Sequence, residues 1–292
     1  MPPTTMLDSH ALVVSRDLDR YPPAPDAAPP APGELEGAMD AGGLIAALDR
    51  GTLGGALLVL RNRFYGHDNA LILDLAATDP RLRALCAVDG RAGDAEALGR
   101  DLLGRPGVAG LRFMEPEKGC DPMLWIGGDR VERLWRLAAD RGALIDVHVF
   151  PWNRAAALPI VTALAARYPA VPVLVDNLGN GAIEAGAPDY GIDDGLRTLV
   201  AHDGVRLKFS DMSIARIERA GLAPADVIAR HAALVGPERL FWGSDVLPPG
   251  RTLGEAAARA HAATASLDHA ERALVLGGNA AALLGMDSVG AG

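Results

Sequence analysis

Apolar and polar positions follow two alternating periods along this chain. Short runs rich in Val, Leu, Ile and Ala, typical of buried strands, are separated by longer stretches with the three-to-four-residue spacing of amphipathic helices. The short runs predict eight strands, at 6–14, 54–61, 82–89, 108–114, 144–150, 172–178, 205–210 and 239–245.

Helical spacing fills the intervals between these strands and continues beyond the last one. A strict alternation of strand and helix predicts a parallel sheet, and eight units predict closure into an α/β (β/α)8 TIM barrel. We therefore expect one domain over residues 1–292, with the last two helices packed across one end of the barrel. The helices are predicted near 38–50, 68–78, 94–104, 129–141, 153–168, 192–202, 224–235, 254–265, 268–276 and 278–285.

A proline-rich segment, 21–33, follows the first predicted strand. Its sequence YPPAPDAAPPAPG is incompatible with a helix or a central strand, because proline lacks a backbone donor and fixes φ. It is therefore expected to cover the mouth, meaning the end of the barrel where the strands finish. Residues 115–128 and 179–191 are expected to form long loops on the same face.

Charge and composition exclude some classes of binding partner and cellular location. The chain has 28 basic and 37 acidic residues and a net charge of −9, which argues against nucleic acid. No apolar run is long enough to span a bilayer, and five residues before the first predicted strand leave no room for a signal peptide. Cys86 and Cys120 form no metal-binding spacing. A cytoplasmic location with no membrane partner is expected, and a homo-oligomer is left open.

Polar side chains gather at the predicted C-terminal ends of the strands, where TIM barrels assemble catalysis. Two imidazoles, a carboxylate and several cations facing one mouth suit hydrolysis of an anionic small molecule. A carboxylate can deprotonate water, histidine can polarise a carbonyl, and arginine can hold a carboxylate. The residues are Asp8, His10, Arg61, Arg63, Arg112, His148, Asp176, Asn177, Lys208, Ser210 and Asp245.

Structural interpretations stand beside the chemical ones. Asp8 is as compatible with a buried hydrogen-bonding role as with a chemical one. Arg61 and Arg63 could form a salt bridge at the rim instead of binding substrate. Lys208 could contact substrate or pair with Asp245.

The motifs resemble the amidohydrolase-related superfamily, in the branch of 2-pyrone-4,6-dicarboxylate lactonase and similar lactonases. They occur in the family order from residue 7 to 284, over nearly the whole chain. The matching pieces are Leu7-Asp-Ser-His10, the Tyr21-Pro loop, Tyr65-Gly-His67-Asp-Asn69, Gly107-Val-Ala-Gly-Leu-Arg112-Phe, Val173-Leu-Val-Asp-Asn-Leu-Gly179, Leu207-Lys-Phe-Ser210, Phe241-Trp-Gly-Ser-Asp245 and Gly278-Asn-Ala-Ala.

The resemblance implies a barrel in which the acid after the eighth strand is the general base, carried here by Asp245. We expect Asp245 to be ionised in the resting protein, held so by nearby imidazoles or Arg112. His10 and His148 would stabilise the developing oxyanion. The residues expected to bind an acidic substrate are Arg61, Arg63, Arg112, Tyr65, His67, Asn177 and Lys208.

Two departures from the family pattern concern metal. The second histidine of the family's His-x-His pair is Leu12, and the Asp-His-x-x-Gly motif reads Asp176-Asn177-Leu-Gly179. Both remove an imidazole where a divalent ion would bind. With the metal-independent chemistry implied by the lactonase branch, they predict no cofactor.

Two other interpretations stay open. The first is a metal-dependent decarboxylase or hydratase of the same superfamily, with a divalent ion such as zinc held by His10, His148 and Asp245. The second is a barrel that has lost activity and binds a small molecule.

Overall fold

Eight parallel strands form the centre of the molecule. The computed structural model describes residues 6–27, 34–246 and 251–286. The strands are hydrogen-bonded in sequence order, β1 beside β2 and so on to β8. They are β1 Leu7–Leu12, β2 Gly55–Val59, β3 Leu82–Ala87, β4 Val108–Met114, β5 Leu144–His148, β6 Val173–Val175, β7 Val205–Ser210 and β8 Leu240–Gly243.

Helices connect the strands as the spacing predicts. Short helical turns also occur at Ile183–Ala185 and Pro237–Arg239, and a π-helical turn, Leu274–Gly278, joins the last two helices. The helices are α1 Glu34–Gly37, α2 Ala41–Asp49, α3 Asn62–Tyr65, α4 Ala70–Thr78, α5 Ala95–Leu102, α6 Pro122–Trp125, α7 Gly128–Arg141, α8 Arg154–Arg167, α9 Asp194–Val200, α10 Asp211–Arg219, α11 Pro224–Val235, α12 Leu253–Ala263, α13 His269–Ala273 and α14 Asn279–Leu284.

The first and last strands lie side by side and bring the sheet to closure. The Ser9 hydroxyl donates to the carbonyl oxygen of Trp242 at 2.7 Å, and the Asp245 N–H donates to the carbonyl oxygen of His10 at 3.0 Å. All eight predicted strands and the predicted (β/α)8 barrel are confirmed.

The barrel interior is apolar at the end where the strands begin. Leu7, Leu57, Leu144, Leu174 and Phe241 form this inner layer, and Ala280 and Leu284 of α14 pack against it. The Asn279 side chain anchors α14 by donating to the carbonyl oxygens of Pro237 and Leu240. The predicted C-terminal helices therefore close the end opposite the mouth.

Helix α10 is the longest element that the sequence pattern did not predict. Its start is set by a capping box, in which the Ser210 hydroxyl accepts from the Ser213 N–H and the Ser213 hydroxyl accepts from the Ser210 N–H. Ile214 and Ile217 supply its buried side. Both signals, the Ser210-x-x-Ser213 start and two isoleucines three positions apart, are present in the sequence.

The proline-rich segment is described as far as residue 27, and residues 28–33 of the predicted lid lie outside the described part. The Tyr21 hydroxyl donates to the Asp74 carboxylate at 2.7 Å, and the Ala24 N–H donates to the carbonyl oxygen of Phe64 at 2.8 Å. The described part thus packs on α3 and α4 at the mouth. Within the described ranges, no helix is long and apolar enough to cross a membrane.

Candidate active site

Strand alternation places a column of polar groups above the inner apolar layer. In β5, Leu144, Asp146 and His148 are two residues apart, so they point to the same side of the sheet. Leu144 belongs to the inner apolar layer. Asp146 therefore lies one level higher inside the barrel, and His148 lies above it at the mouth. The same spacing raises Asp176 above Leu174 at the end of β6.

Two cations lie between two carboxylates at that middle level. Arg112 Nη1 is 2.5 Å from Asp146 Oδ1 and 2.6 Å from Asp176 Oδ2. Lys208 Nζ is 2.6 Å from Asp146 Oδ2 and 2.8 Å from Asp176 Oδ1. All four side chains are at most 4% exposed. We call this arrangement of Arg112, Asp146, Asp176 and Lys208 the salt cross.

The salt cross is neutral when all four groups are ionised, and its contacts favour that state for three of them. Burial by itself disfavours the charged form of each of the four groups. The pKa of Asp176 nevertheless lies well below its usual range, because Arg112, Lys208 and His10 outweigh burial. The pKa values of Arg112 and Lys208 are raised, since the two aspartates outweigh burial. Burial and the neighbouring Asp176 raise the pKa of Asp146.

Both predicted catalytic histidines contact the salt cross through Nδ1. His10 Nδ1 is 3.1 Å from Lys208 Nζ and 3.3 Å from Asp176 Oδ1. His148 Nδ1 is 3.1 Å from Asp176 Oδ2 and 3.4 Å from Arg112 Nη2. Burial lowers the pKa of His10 to about 3, despite the opposing effect of Asp176. His10 is therefore a neutral imidazole at physiological pH.

Asp245 lies above the end of β8 and is buried. Its Oδ2 accepts from the Ser210 hydroxyl at 3.2 Å, and its Oδ1 is 3.7 Å from His10 Nε2. Its backbone has a φ of 47°, a left-handed conformation that is costly for a non-glycine residue and typical of functional sites. The local fold thus holds this carboxylate in a strained, enclosed position.

The expectation that Asp245 is held ionised by its neighbours is wrong in direction. Burial and the nearby Asp176 carboxylate raise the pKa of Asp245 to about 7, although Arg112, Ser210 and Lys208 act in the opposite sense. The physical reason is burial, which disfavours the carboxylate form, while the cations Arg112 and Lys208 are paired with Asp146 and Asp176. A buried carboxyl with a pKa near 7 is well matched to general base chemistry.

The seam between β1 and β8 is organised by Asp8. Asp8 Oδ1 accepts from the His10 N–H at 2.9 Å and from the Ser244 N–H at 2.7 Å. The register of β1 against β2 shifts between Asp8 and Ala11, the segment that carries His10. These contacts fit the interpretation of Asp8 as a buried hydrogen-bonding residue rather than a chemical one.

Asn177 lies in an unusual turn directly after β6. Residues 177–180 are four consecutive left-handed residues, with φ values of 50°, 55°, 68° and 51°. Asn177 Oδ1 accepts from the hydroxyls of Ser210 at 2.8 Å and Ser213 at 3.0 Å. The turn thus connects Asn177 to the hydroxyl that also contacts Asp245.

The predicted binding residues after β2 lie on another side of the mouth. Arg61 is half-buried, with its guanidinium 5.9 Å from the centre of the Phe64 ring, and Arg63 is exposed. The buried Tyr65 accepts from the Ser15 N–H at 2.9 Å through its hydroxyl. His67 is half-buried, and burial lowers its pKa. Their role in substrate binding stays a prediction.

An aromatic row extends from His148 towards solvent along the β5 side of the mouth. The rings of His148 and Phe150 are 4.5 Å apart, and those of Phe150 and Trp152 are stacked at 4.5 Å. Trp152 Nε1 donates to Glu115 at 2.6 Å, and the Lys118 ammonium lies 5.0 Å from the Trp152 ring centre. The loop after β4 therefore meets the segment after β5 at this row.

Two predicted binding residues have other partners. Arg112 was expected to hold a substrate carboxylate, but its Nη1 is taken by Asp146 and Asp176 inside the barrel. Lys208 was expected either to contact substrate or to pair with Asp245, and it pairs instead with Asp146 and Asp176. Arg112 and Lys208 have these partners because their side chains start below the mouth, at the level of Asp146 and Asp176 inside the barrel.

Sequence reasoning missed Asp146 and underrated Asp176. Asp146 is the only acid in the strand Leu144–His148, two residues before His148 on the same face. A lone carboxylate inside an otherwise apolar strand is costly unless paired, and that signal was available. The sequence places Asp176 at a strand end but predicts a substrate-binding role only for its neighbour Asn177.

The described site side chains are not arranged as a set of metal ligands. Among the residues that the structure describes, no three His, Cys, Asp or Glu side chains are placed to hold an ion together. Lys208 Nζ, 3.1 Å from His10 Nδ1, and Arg112 already supply positive charge to the acids and imidazoles. The donor set therefore fits internal cations better than a divalent ion.

Comparison with known proteins agrees with the motifs. The profile of a family described as amidohydrolase matches residues 8–286. No curated protein sequence matches the chain.

Solved structures share the fold along almost the whole chain. A Burkholderia multivorans amidohydrolase with bound zinc is 22% identical, with a TM-score of 0.69 over 96% of this chain and 99% of that chain. A Pseudomonas putida protein provisionally assigned as a 2-pyrone-4,6-dicarboxylic acid hydrolase is 22% identical, with a TM-score of 0.69 over 97% and 98%. An Acinetobacter baumannii protein with the same provisional assignment and bound citric acid is 18% identical, with a TM-score of 0.67 over 96% and 99%.

Proposed function

This chain belongs to the amidohydrolase family, and on that premise we propose that it hydrolyses a lactone or related cyclic ester of a carboxylate-bearing small molecule. The observation that carries the proposal is Asp245, an enclosed carboxyl at the end of β8 whose pKa is raised to about 7 by burial and by Asp176. Such a group is a stronger base than an exposed aspartate and is about half ionised near neutral pH.

In the proposed reaction, the Asp245 carboxylate takes a proton from water while the water oxygen bonds to the lactone carbonyl carbon. The carbonyl electron pair moves to its oxygen, beside the imidazoles of His10 and His148. Stabilising that developing charge is usually a large part of catalysis in acyl transfer. Collapse of the intermediate breaks the ring C–O bond. The proton on Asp245 then passes to the departing oxygen, giving one open-chain product with a new acid and a hydroxyl.

The substrate's acidic character is supported by two arginines at the mouth and by the relatives. Arg63 is exposed and Arg61 half-buried just beyond β2, where guanidinium groups can pair with carboxylates. Structural relatives are provisionally assigned to a pyrone dicarboxylate, and one holds citric acid. We propose a small cyclic ester bearing at least one carboxylate.

We propose that the reaction needs no metal. Lys208 and Arg112 balance the buried acids, and Leu12 lies where the family has its second histidine. The zinc in the Burkholderia relative makes a metal-dependent decarboxylase or hydratase the second candidate. Its ligands would be His10, His148 and Asp245, a set that these side chains do not complete in the described structure.

The test is turnover of a matched panel by the purified protein in ¹⁸O-labelled water. 2-Pyrone-4,6-dicarboxylate and the unsubstituted 2-pyrone share a ring and differ in charge. We expect opening of the acidic ring, one ¹⁸O atom in the new carboxylate and little turnover of the neutral ring. Release of CO₂, or water addition with the ester intact, would favour the second candidate. Binding without any turnover would indicate a barrel that only binds.

A further inference from the structure

The two site histidines share one carboxylate, but each has a different nearest partner. We propose that Asp176 and Lys208 hold the imidazoles as opposite tautomers, with the proton of His148 on Nδ1 and the proton of His10 on Nε2. His148 then presents a lone pair at Nε2, and His10 presents an N–H there. The catalytic meaning of this difference rests on the proposed hydrolysis, whereas the tautomers themselves do not.

The argument for His148 concerns which partner of Nδ1 is closer. The Asp176 Oδ2 carboxylate oxygen, an acceptor, is at 3.1 Å, and the Arg112 Nη2 donor is at 3.4 Å, beyond the usual N–H···O range. A neutral imidazole has one N–H, and an ionised carboxylate can only accept. In the neutral form of the His148 ring, Nδ1 therefore donates to Asp176 and the proton is absent from Nε2.

The argument for His10 concerns the three N–H groups of Lys208. The ammonium lies in ion-pair range of Asp146 Oδ2 at 2.6 Å and Asp176 Oδ1 at 2.8 Å, but neither contact has hydrogen-bond geometry. Its hydrogen-bond partners are His10 Nδ1 at 3.1 Å and the Ser9 carbonyl oxygen at 3.5 Å. His10 Nδ1 is also 3.3 Å from Asp176 Oδ1, but that oxygen makes no hydrogen bond, and Lys208 is the nearer partner. Because an ammonium group has no lone pair, Nδ1 accepts from Lys208. The proton of the neutral His10 ring is then on Nε2, which faces Asp245 Oδ1 at 3.7 Å.

These tautomers give His10 and His148 different roles, although the sequence predicts the same role for both. His10 can donate directly to the developing oxyanion, because its Nε2 carries a proton in the resting state. The neutral form of His148 is an acceptor for water or a substrate hydroxyl at Nε2, and it donates there only after gaining a proton. Asp176 and Lys208 act through these rings and are positioning residues.

Asp146 provides a matched control for Asp176. Both are buried acids that pair with the same two cations, Arg112 and Lys208. Among the described residues, Asp176 contacts both histidines, and Asp146 has no hydrogen bond or ion pair to either. Replacing either acid by asparagine thus removes one charge from the salt cross, but only one of the changes reaches the imidazoles.

The first test is spectroscopic and needs no substrate. The full chain labelled with ¹⁵N-histidine is studied by two-bond ¹H–¹⁵N correlation, with His10→Gln and His148→Gln variants to assign the signals. We expect the pattern of an Nδ1–H ring for His148 and of an Nε2–H ring for His10. The same tautomer in both rings, or the reverse assignment, would overturn the proposal.

The second test compares the Asp176→Asn and Asp146→Asn variants. We expect Asp176→Asn to change the His148 pattern and lower kcat about 100-fold, in the range measured for partners that orient catalytic or ligating histidines. Asp146→Asn should keep both patterns and lose less than about tenfold. Equal losses of kcat with unchanged patterns would show a purely structural salt cross. If the panel shows no turnover but the tautomers are as assigned, the proposed function fails and this inference stands.

Discussion

The Nε2 atom of His10 lies 3.7 Å from Oδ1 of Asp245, and the N–H of Asp245 donates to the carbonyl oxygen of His10 at 3.0 Å. The two residues are 235 positions apart in sequence (245 − 10), and they meet because β1 and β8 close the barrel. The contact that completes the fold therefore also brings the proposed base beside the proposed oxyanion donor. Five predictions test this arrangement.

The first prediction concerns the base itself. Asp245→Asn keeps the shape of the side chain and removes its basicity, so kcat should fall by about two to four orders of magnitude. The melting temperature should not fall, because the folded protein disfavours the charge of Asp245 rather than depending on it. Thermal unfolding measured beside kcat checks both. A stable variant with nearly wild-type turnover would remove Asp245 from the mechanism.

The second prediction concerns pH. Since the pKa of Asp245 is raised from an ordinary 3.8 to about 7, kcat/KM should rise with pH to a plateau, with its midpoint near 7. When folding raises the pKa of an acid, the folded protein favours the protonated form. The contribution of Asp245 to the free energy of unfolding is therefore complete below about pH 4 and is lost as pH rises to about 7. The wild type should therefore lose stability over this window relative to Asp245→Asn. A kinetic midpoint near 4 would contradict the burial argument.

The third prediction concerns substrate charge. Arg63 is exposed after β2, so Arg63→Ala should raise KM for an acidic lactone about tenfold or more, with little effect on a neutral analogue. Arg141→Ala, an exposed arginine ahead of β5 at the opposite end of the barrel, is the control and should change neither value. Arg112→Ala does not test this point, because it would remove one of the two cations that Asp146 and Asp176 share. Equal effects of Arg63→Ala on both substrates would remove Arg63 from substrate binding.

The fourth prediction concerns metal. Because Lys208 and Arg112 already balance the buried acids, activity should survive prolonged chelation, and the purified protein should hold far less than one transition metal per chain. Elemental analysis and assays before and after chelation measure this. Activity that is lost on chelation and restored by zinc or manganese would show that the internal cations do not replace a metal.

The fifth prediction concerns the seam between β1 and β8. A Cβ added at Gly243 would lie 2.3 Å from His10 Cβ and 2.7 Å from His10 N, so Gly243→Ala must separate the two strands or displace His10. We expect a loss of about 1–3 kcal/mol in the free energy of unfolding, together with reduced kcat. Gly93→Ala is the control, since its added Cβ has no heavy atom within 4 Å. Matched stability and activity in both variants would mean that the seam tolerates extra volume.

The sequence by itself determined the order and kind of the secondary structure. Strand and helix periods arise from which side of each short segment is buried, and that is a local property of adjacent residues. All eight strands were therefore predicted within a few residues of their observed bounds, as was the C-terminal pair of helices. The polar residues His10, His148 and Asp245 were also found, because an ionisable group at the end of an apolar run stands out in the sequence.

Only the tertiary structure decided how those polar groups pair and which of them are charged. Asp146 of β5 and Lys208 of β7 are 62 residues apart (208 − 146), and their ion pair exists because strand tilt and depth bring them to one level inside the barrel. The pKa of a buried group depends on every charge near it. The sequence could not show that Arg112 pairs with Asp146 and Asp176, or that the pKa of Asp245 is raised, because both depend on residues brought together by the barrel. Electrostatics inside a barrel sum over residues distant in sequence, whereas periodicity is set by residues that are neighbours.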